Sequence, residues 1–217
     1  MLDAVIWDFN GTLIDDTPLA VESVNRMLSR RGLPSLRMDE YRRVFGFPLA
    51  DYYRRIGFDL SCETMSGLAD EFHDAYVPGL PDCPLHEGVV ALLRRIQHKG
   101  IAQFVLSAME ESTLVEALRA LGIDGFFGAI HGLDHRLADS KIERGRELLG
   151  AHGIDPERAL LIGDTDHDAD VAAALGTSVA LVARGHQAAE RLRKVGPVFE
   201  GFADLSSALF DDCESVR

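Results

Sequence analysis

Cysteine is scarce in this 217-residue chain, and Cys62, Cys83 and Cys213 form no C-x-x-C pair. An odd count without metal-ligand spacing argues against a zinc ribbon or a disulfide framework and reads as reduced thiols. Long apolar runs are missing too. Nowhere do about eighteen uncharged apolar residues follow one another, so no membrane-spanning helix is expected. The opening MLDAVIWDF has no basic n-region and too short an apolar run for a secretory signal, which makes the cytoplasm the expected location. Positive charge is in deficit: 22 basic against 35 acidic residues give a formal net charge of −13. That field repels a phosphodiester backbone and an anionic bilayer, so neither nucleic acid nor membrane is an expected partner. The small basic clusters RMLSRR and YRR lie at helical spacing beside apolar residues and read as solvated helix faces, still able to hold an anionic substrate.

What is present is a globular composition, 47% hydrophobic and 26% charged, with room for one compact domain and a smaller insertion. AVIWDF, residues 4–9 with an acid near its end, reads as a buried parallel strand. From 17 to 82 the pattern is helical throughout. Thr17 is the expected N-cap of the first helix, Pro18 lies in its first turn, and Gly32 stops it. PGLPDCP, with three prolines in seven residues, marks the far boundary. Helix and strand then alternate: helix 86–99, strand IAQFVLS, helix 111–121, a short strand near GAIHG, helix 140–150, strand ALLIG, helix 166–175 and strand SVALV. This order predicts an α/β, doubly wound parallel sheet with right-handed crossovers and a helical insertion after its first strand. The expected division is a core of 1–16 and 83–217 and an inserted unit of 17–82.

Four strand or helix ends bring polar groups to one edge of that sheet: Asp8, Ser107, Lys141 and the loop GDTDHD, 163–168. Singly, each has an ordinary explanation. An Asp or Ser at a strand end is commonly a cap or turn residue. Lys141 follows Ser140, a candidate N-cap, and is either a solvated first-turn lysine or, since a cation there opposes the helix dipole, a group facing something anionic. Asn10-Gly11 is a strong turn dipeptide in its own right. His131 and His135, at i and i+4, fall on strand and loop and read as solvated histidines, not a metal pair.

Together the four stretches resemble the motifs of the haloacid dehalogenase (HAD) superfamily of aspartyl-phosphate phosphatases, in order and on the right elements. DFNGTL resembles the first motif, D-x-D-G-T; VLSA the second; SK the third; GDTDHD the fourth, G-D-x-x-x-D. The insertion resembles the helical cap of phosphoglycolate phosphatase-like and β-phosphoglucomutase-like members, and LHEGVVALLRRIQHKG their return helix. The resemblance implies a HAD-like Rossmannoid core and hydrolysis of a small phosphorylated metabolite through an aspartyl phosphate on Asp8. It implies Mg²⁺ held by Asp8, the position-10 carbonyl of Asn10, Asp164 and Asp168, the last either a ligand or the group that orients Lys141. Gly11, Thr12, Ser107, Ala108 and Lys141 are the implied phosphate-binding residues. Asp166 and Asp170 are expected at the solvated helix N-terminus, and the oligomer is a monomer or a homodimer.

Asn10 departs from the family pattern. The second Asp of the motif protonates the leaving oxygen and then deprotonates water; an amide can do neither. Three expectations stay open: a slow phosphatase, an enzyme using another acid or a water, or a regulatory protein that binds a phosphorylated ligand without efficient turnover. Haloacid dehalogenation also lacks the second Asp, but it leaves the acids of GDTDHD without counter-charge. Phosphonoacetaldehyde cleavage needs a cap lysine, and 17–82 contains none. FGFPL, 45–49, punctuated by Gly and Pro, is the candidate loop to reach the site from the cap.

Overall fold

The computed structural model describes residues 2–135, 137 and 141–211. Six parallel strands form one sheet in the order β3-β2-β1-β4-β5-β6: β1 (Ala4–Trp7), β2 (Ala102–Glu110), β3 (Ala129–Leu133), β4 (Ala159–Gly163), β5 (Ser178–Val182) and β6 (Val198–Phe199). All-parallel pairing makes the fold a doubly wound α/β Rossmannoid, as the alternation of helix and strand predicts. Chain order reverses about β1, with β2 on one side and β4 on the other. The carboxyl ends of these strands therefore frame the crevice where such sheets carry their chemistry.

Alternate residues of β1 face opposite sides of the sheet. Val5 and Trp7 enter a core shared with α5 (Val89–His98) and α10 (Phe202–Phe210), while Ala4 and Ile6 pack with Leu148 of α7 (Ile142–His152) and with Val171 and Leu175 of α8 (Asp166–Leu175). All four β1 residues are buried, which is why the run is apolar without alternation. α6 (Glu111–Ala120) closes the β2 to β3 crossover, and the short α9 (Ala189–Leu192) follows β5.

Between β1 and α5 come four helices: α1 (Thr17–Arg30), α2 (Met38–Val44), α3 (Leu49–Arg55) and α4 (Met65–Tyr76). A 3₁₀ turn over Val77–Asp82 then accommodates two of the three prolines. This segment has no separate core among the described residues. Phe9, Leu13 and Ile14 carry the sheet's larger core into Tyr41, Tyr52 and Leu68.

Several local expectations need correction. Asp16, not Thr17, precedes α1, and its carboxylate is engaged elsewhere instead of capping the helix. Gly32 does follow α1, in the left-handed conformation at φ 66°. β2 runs past Ser107 to Glu110 through an irregularity in its pairing with β3. α5 begins at Val89 because Gly88, at φ 89°, turns the chain first. His131 is half-buried on β3 with its ring beside His152, not solvated. Ser140 and Cys213 lie outside the described residues.

Candidate active site

Register brings the acids together. Trp7 pairs with Val105 on one side and Ile162 on the other, so Asp8, Ser107 and Asp164 lie within a residue or two of one level. Asp8 is still tied to the sheet edge by its amide, which donates to the Ile162 carbonyl at 2.8 Å. Two glycines permit the close approach of the loops. A Cβ on Gly11, at φ 68°, would stand 2.4 Å from an Asp164 oxygen, and one on Gly163 would stand 2.2 Å from the Asp168 carboxyl carbon.

Lys141 is 2% exposed and precedes α7. Its ammonium donates to Asp8, to the Leu106 carbonyl at 3.1 Å, and pairs with Asp168 at 2.8 Å. The alternative of a solvated lysine is thereby removed. Asp168 uses its other oxygen to accept from the Thr165 hydroxyl (2.7 Å) and the Thr165 amide (3.0 Å), a capping box that fixes the start of α8. Asp164 accepts from the Thr12 hydroxyl at 3.0 Å and the His186 amide at 2.6 Å. Ser107, buried, accepts from the Met109 amide through its hydroxyl, and Ala108 lies beside it on the cavity wall. Asp166 is not a free helix-terminal acid, since Arg191 and Gln187 bind it at 2.8 and 2.7 Å.

One ammonium cannot neutralise three buried carboxylates. Burial raises all of them, but Lys141 overcomes it at Asp168, which is held below the usual range. The surplus falls on the other two: burial pushes Asp8 up to about 8 and Asp164 up to about 6, with carboxylate repulsion adding to both. Against its own burial, Lys141 is raised by Asp168 and Asp8. Asp8, Asp164 and Asp168 each offer an oxygen within 4.8 Å of the others. An all-oxygen donor set with two uncompensated negative charges suits a hard divalent cation such as Mg²⁺.

Asn10 lies on the rim of this cluster and donates through Nδ2 to Asp16 (3.1 Å) and to the Tyr76 hydroxyl (2.7 Å). Asp16 is 1% exposed and also accepts from the Gly11 amide at 2.6 Å and the Tyr76 hydroxyl at 2.5 Å. His186 Nε2 approaches it at 3.4 Å, while Nδ1 of the same ring meets the Tyr41 hydroxyl at 2.9 Å. Burial disfavours both charges, yet His186 holds Asp16 below its ordinary range, and Asp16 in turn lifts His186 to about 9. Sequence reasoning missed both residues. Asp16 reads as a helix-start acid, and nothing local marks a histidine 170 positions away in a loop after β5. The Gly11 amide is thus taken by Asp16, and neither Gly11 nor Thr12 lines the cavity above the acids, whereas Asp8, Asn10, Ser107, Lys141, Asp164 and Asp168 do.

An aspartate at the tip of the first strand, a lysine bridging it to an acidic helix start, and a helical unit inserted after that strand define a hydrolase-type site on a doubly wound sheet. The chain belongs to the haloacid dehalogenase-like hydrolase family, whose sequence model matches residues 5–182. It is 29% identical over 215 residues to a phosphoglycolate phosphatase of Caulobacter vibrioides, covering 94% of this chain and 89% of that one. A predicted phosphatase from Clostridium acetobutylicum superposes with a TM-score of 0.83 at 21% identity, over 97% and 99% of the two chains. Protein tyrosine kinase A (PtkA) of Mycobacterium tuberculosis superposes with a TM-score of 0.80 at 28% identity, over 96% of this chain and 98% of the solved one.

Proposed function

We propose that this protein is a Mg²⁺-dependent phosphatase that hydrolyses a small phosphorylated metabolite through an aspartyl phosphate on Asp8. The observation that carries the reading is the buried contact of Asp8 with Lys141, itself paired with Asp168, at the carboxyl edge of β1 and β4. In this reading 17–82 is a cap over a core of 1–16 and 83–217. Asp8, Asp164 and Asp168, with the Asn10 carbonyl, hold the metal, which when bound neutralises charge between carboxylate and phosphoryl group. Lys141, Ser107 and Ala108 hold the phosphoryl oxygens.

Asp8 attacks phosphorus, the bond to the leaving oxygen breaks, and that oxygen departs with the electron pair and takes up a proton. Water then attacks the same phosphorus, breaks the bond to Asp8 and gives up a proton, freeing phosphate. Asn10 can take no part in either proton transfer. Asp16 and His186 line the same cavity, Asp16 one hydrogen bond behind the amide and His186 paired with Asp16. Asp16 serves as the base toward water, and His186 as the donor toward the leaving oxygen.

Purified protein with Mg²⁺ and a panel of phosphate esters tests this. Turnover and a phosphate adduct mapped to Asp8, both absent in Asp8→Asn, are the expected results. A second reading, a regulatory protein that binds a phosphorylated ligand, is favoured by Asn10 and is upheld if esters bind with Mg²⁺ but are not cleaved. No binding and no turnover sinks both.

A further inference from the structure

The cavity over Asp8 has a floor and a wall of opposite character. Its floor is the acidic cluster with Lys141; its wall, on the helical segment, is built from Tyr41, Phe45, Phe47, Tyr52, Met65 and Phe72. The rings brace one another. Phe45 stacks on Tyr41 at 5.1 Å and meets Phe47 and Tyr52 edge-on at 5.8 and 5.2 Å. Phe47 reaches down to the His167 ring at 4.5 Å. The wall therefore extends from the helices to the start of α8.

No cation faces the cavity from this side among the described residues. The segment 17–82 contains eight arginines and no lysine, and none of those arginines lines it. Arg31 is bound by Glu63 and Glu71, Arg42 by the carbonyls of Arg184 and Gly185, and the other six are exposed. Apart from Lys141, the basic side chains on the cavity among the described residues are His73 beside Phe72, His167 against Phe47, and His186, matched by Asp16. Beyond these histidines, one of them already paired with Asp16, a second anionic group on a substrate, such as a carboxylate or another phosphate, would meet aromatic carbon or further carboxylates. A sugar would fare little better, because the Tyr41 and Tyr76 hydroxyls are already bonded to His186 and Asp16 and the Tyr52 hydroxyl is itself buried.

Size narrows the class further. The cavity holds about 140 Å³, and an apolar cavity of about 150 Å³ in another protein accommodates one benzene. A cavity of that size excludes any leaving group larger than about one ring. The missing acid at position 10 points the same way. Phenols ionise near 10, roughly six units below water, so a phenolic oxygen leaves with far less need of a proton than an alkoxide.

Building on the phosphatase reading, we infer that the substrate is an aryl phosphate: a monoester of a small, uncharged phenol, with no carboxylate, second phosphate or sugar attached. Cleavage breaks the phosphorus to phenolic oxygen bond; water supplies the oxygen that ends on phosphate and the proton that ends on the phenol.

The test compares kcat/KM for phenyl phosphate, benzyl phosphate, phosphoglycolate, and the 4-methyl and 4-carboxy derivatives of phenyl phosphate. Alongside, it measures binding of phenylphosphonate and phosphonoacetate to the Mg²⁺-loaded protein. Phenyl phosphate should exceed phosphoglycolate by about 100-fold and benzyl phosphate by a smaller factor. The 4-methyl ester should exceed the 4-carboxy ester by about tenfold or more. Phe47→Ala should lower kcat/KM for phenyl phosphate about three- to tenfold, and Phe47→Arg should turn the methyl-to-carboxy preference toward the carboxylate. Turnover of phosphoglycolate as good as that of phenyl phosphate overturns the substrate class and leaves the phosphatase reading standing. If no ester is cleaved yet phenylphosphonate binds at least tenfold tighter than phosphonoacetate, the class stands and hydrolysis fails. Equal binding without turnover overturns both.

Discussion

Binding of Mg²⁺ should expel about one proton near neutral pH. In the metal-free protein, burial pushes Asp8 up to about 8 and Asp164 up to about 6, so at pH 7 Asp8 is largely protonated and Asp164 largely ionised. A cation coordinated by Asp8 needs the carboxylate, and the proton must leave. Each pH unit below 8 then costs the metal about 1.4 kcal/mol, so the apparent Kd should weaken about 100-fold from pH 8.5 to pH 6. The stability sign agrees. A carboxyl whose folded value is raised costs the fold progressively more as pH climbs from its unfolded value through the folded one. Added Mg²⁺ should therefore restore more stability at pH 8.5 than at pH 6. Calorimetry in two buffers of different ionisation enthalpy gives the proton count directly, with about one released at pH 7 and close to none at pH 9.5. Asp8→Asn should bind more weakly and release almost nothing at pH 7. A Kd constant within threefold from pH 6 to 8.5, with no buffer-dependent heat, would refute the argument, because Asp8 would then be ionised already or not a ligand.

Other outcomes follow from the cavity's surroundings. Asn10→Asp puts a second carboxylate against Asp16, so one of the two must hold a proton; turnover of alkyl phosphates should rise about 10²–10⁴-fold, with little gain for aryl esters, and peptide mapping must exclude deamidation of the Asn-Gly step in wild type. His186, raised to about 9 by Asp16, stabilises the fold fully below 6.5 and loses that contribution as pH rises through 9. Denaturant titrations of metal-free wild type against His186→Gln should show the difference shrinking by about 3 kcal/mol over that range; a flat difference refutes the pairing. Arg191 holds the Phe45 carbonyl at 2.7 Å, so Arg191→Ala should speed hydrogen exchange over 45–49 about fivefold, and unchanged exchange would mean the loop is held by other contacts. The Tyr52 hydroxyl is buried without a hydrogen-bond partner among the described residues, and Tyr52→Phe should add about 1 kcal/mol and raise Tm about 2–4 °C, whereas a loss would show that the hydroxyl is engaged.

The sheet was legible in the sequence because its strands are short apolar runs with acids, Ser or Gly at their ends, and each such run has one reading in an alternating α/β pattern. β4 and β5 match ALLIG and SVALV to the residue. Contacts made across the fold were not legible. Lys141 looks equally at home as a solvated helix-start lysine until β1 and α8 put Asp8 and Asp168 on its ammonium. Asp166 looks solvated until α9 supplies Arg191. β6 is two residues long and held by pairing with β5, with too little periodicity of its own to announce a strand. FGFPL gave the right loop for a different reason than its punctuation. Phe45 and Phe47 reach the site because Gln187 and Arg191, from the segment after β5, grip the Phe45 carbonyl at 3.2 and 2.7 Å.

Asn10 is best understood as half of a pair. Its amide is the donor that an ionised, buried Asp16 requires at that point; an aspartate there would set two carboxylates against each other 3.1 Å apart. Asp16 in turn holds His186, and His186 holds Tyr41 at the base of the aromatic wall. The same chain of contacts thus links the position where the proton donor is missing to the rings that select the leaving group. If the substrate's oxygen is phenolic, the first chemical step tolerates an amide at position 10, and the demand shifts to the second step, where water must lose a proton to Asp16. Replacing Asp16 by Asn should therefore leave the burst of phenol release from a phenolic ester nearly intact while slowing the clearance of phosphate from Asp8 about 10²-fold or more. Rapid-quench measurement of both rates on one substrate separates the steps. Equal slowing of burst and clearance would place Asp16 in the architecture of the cavity and not in the transfer of the proton.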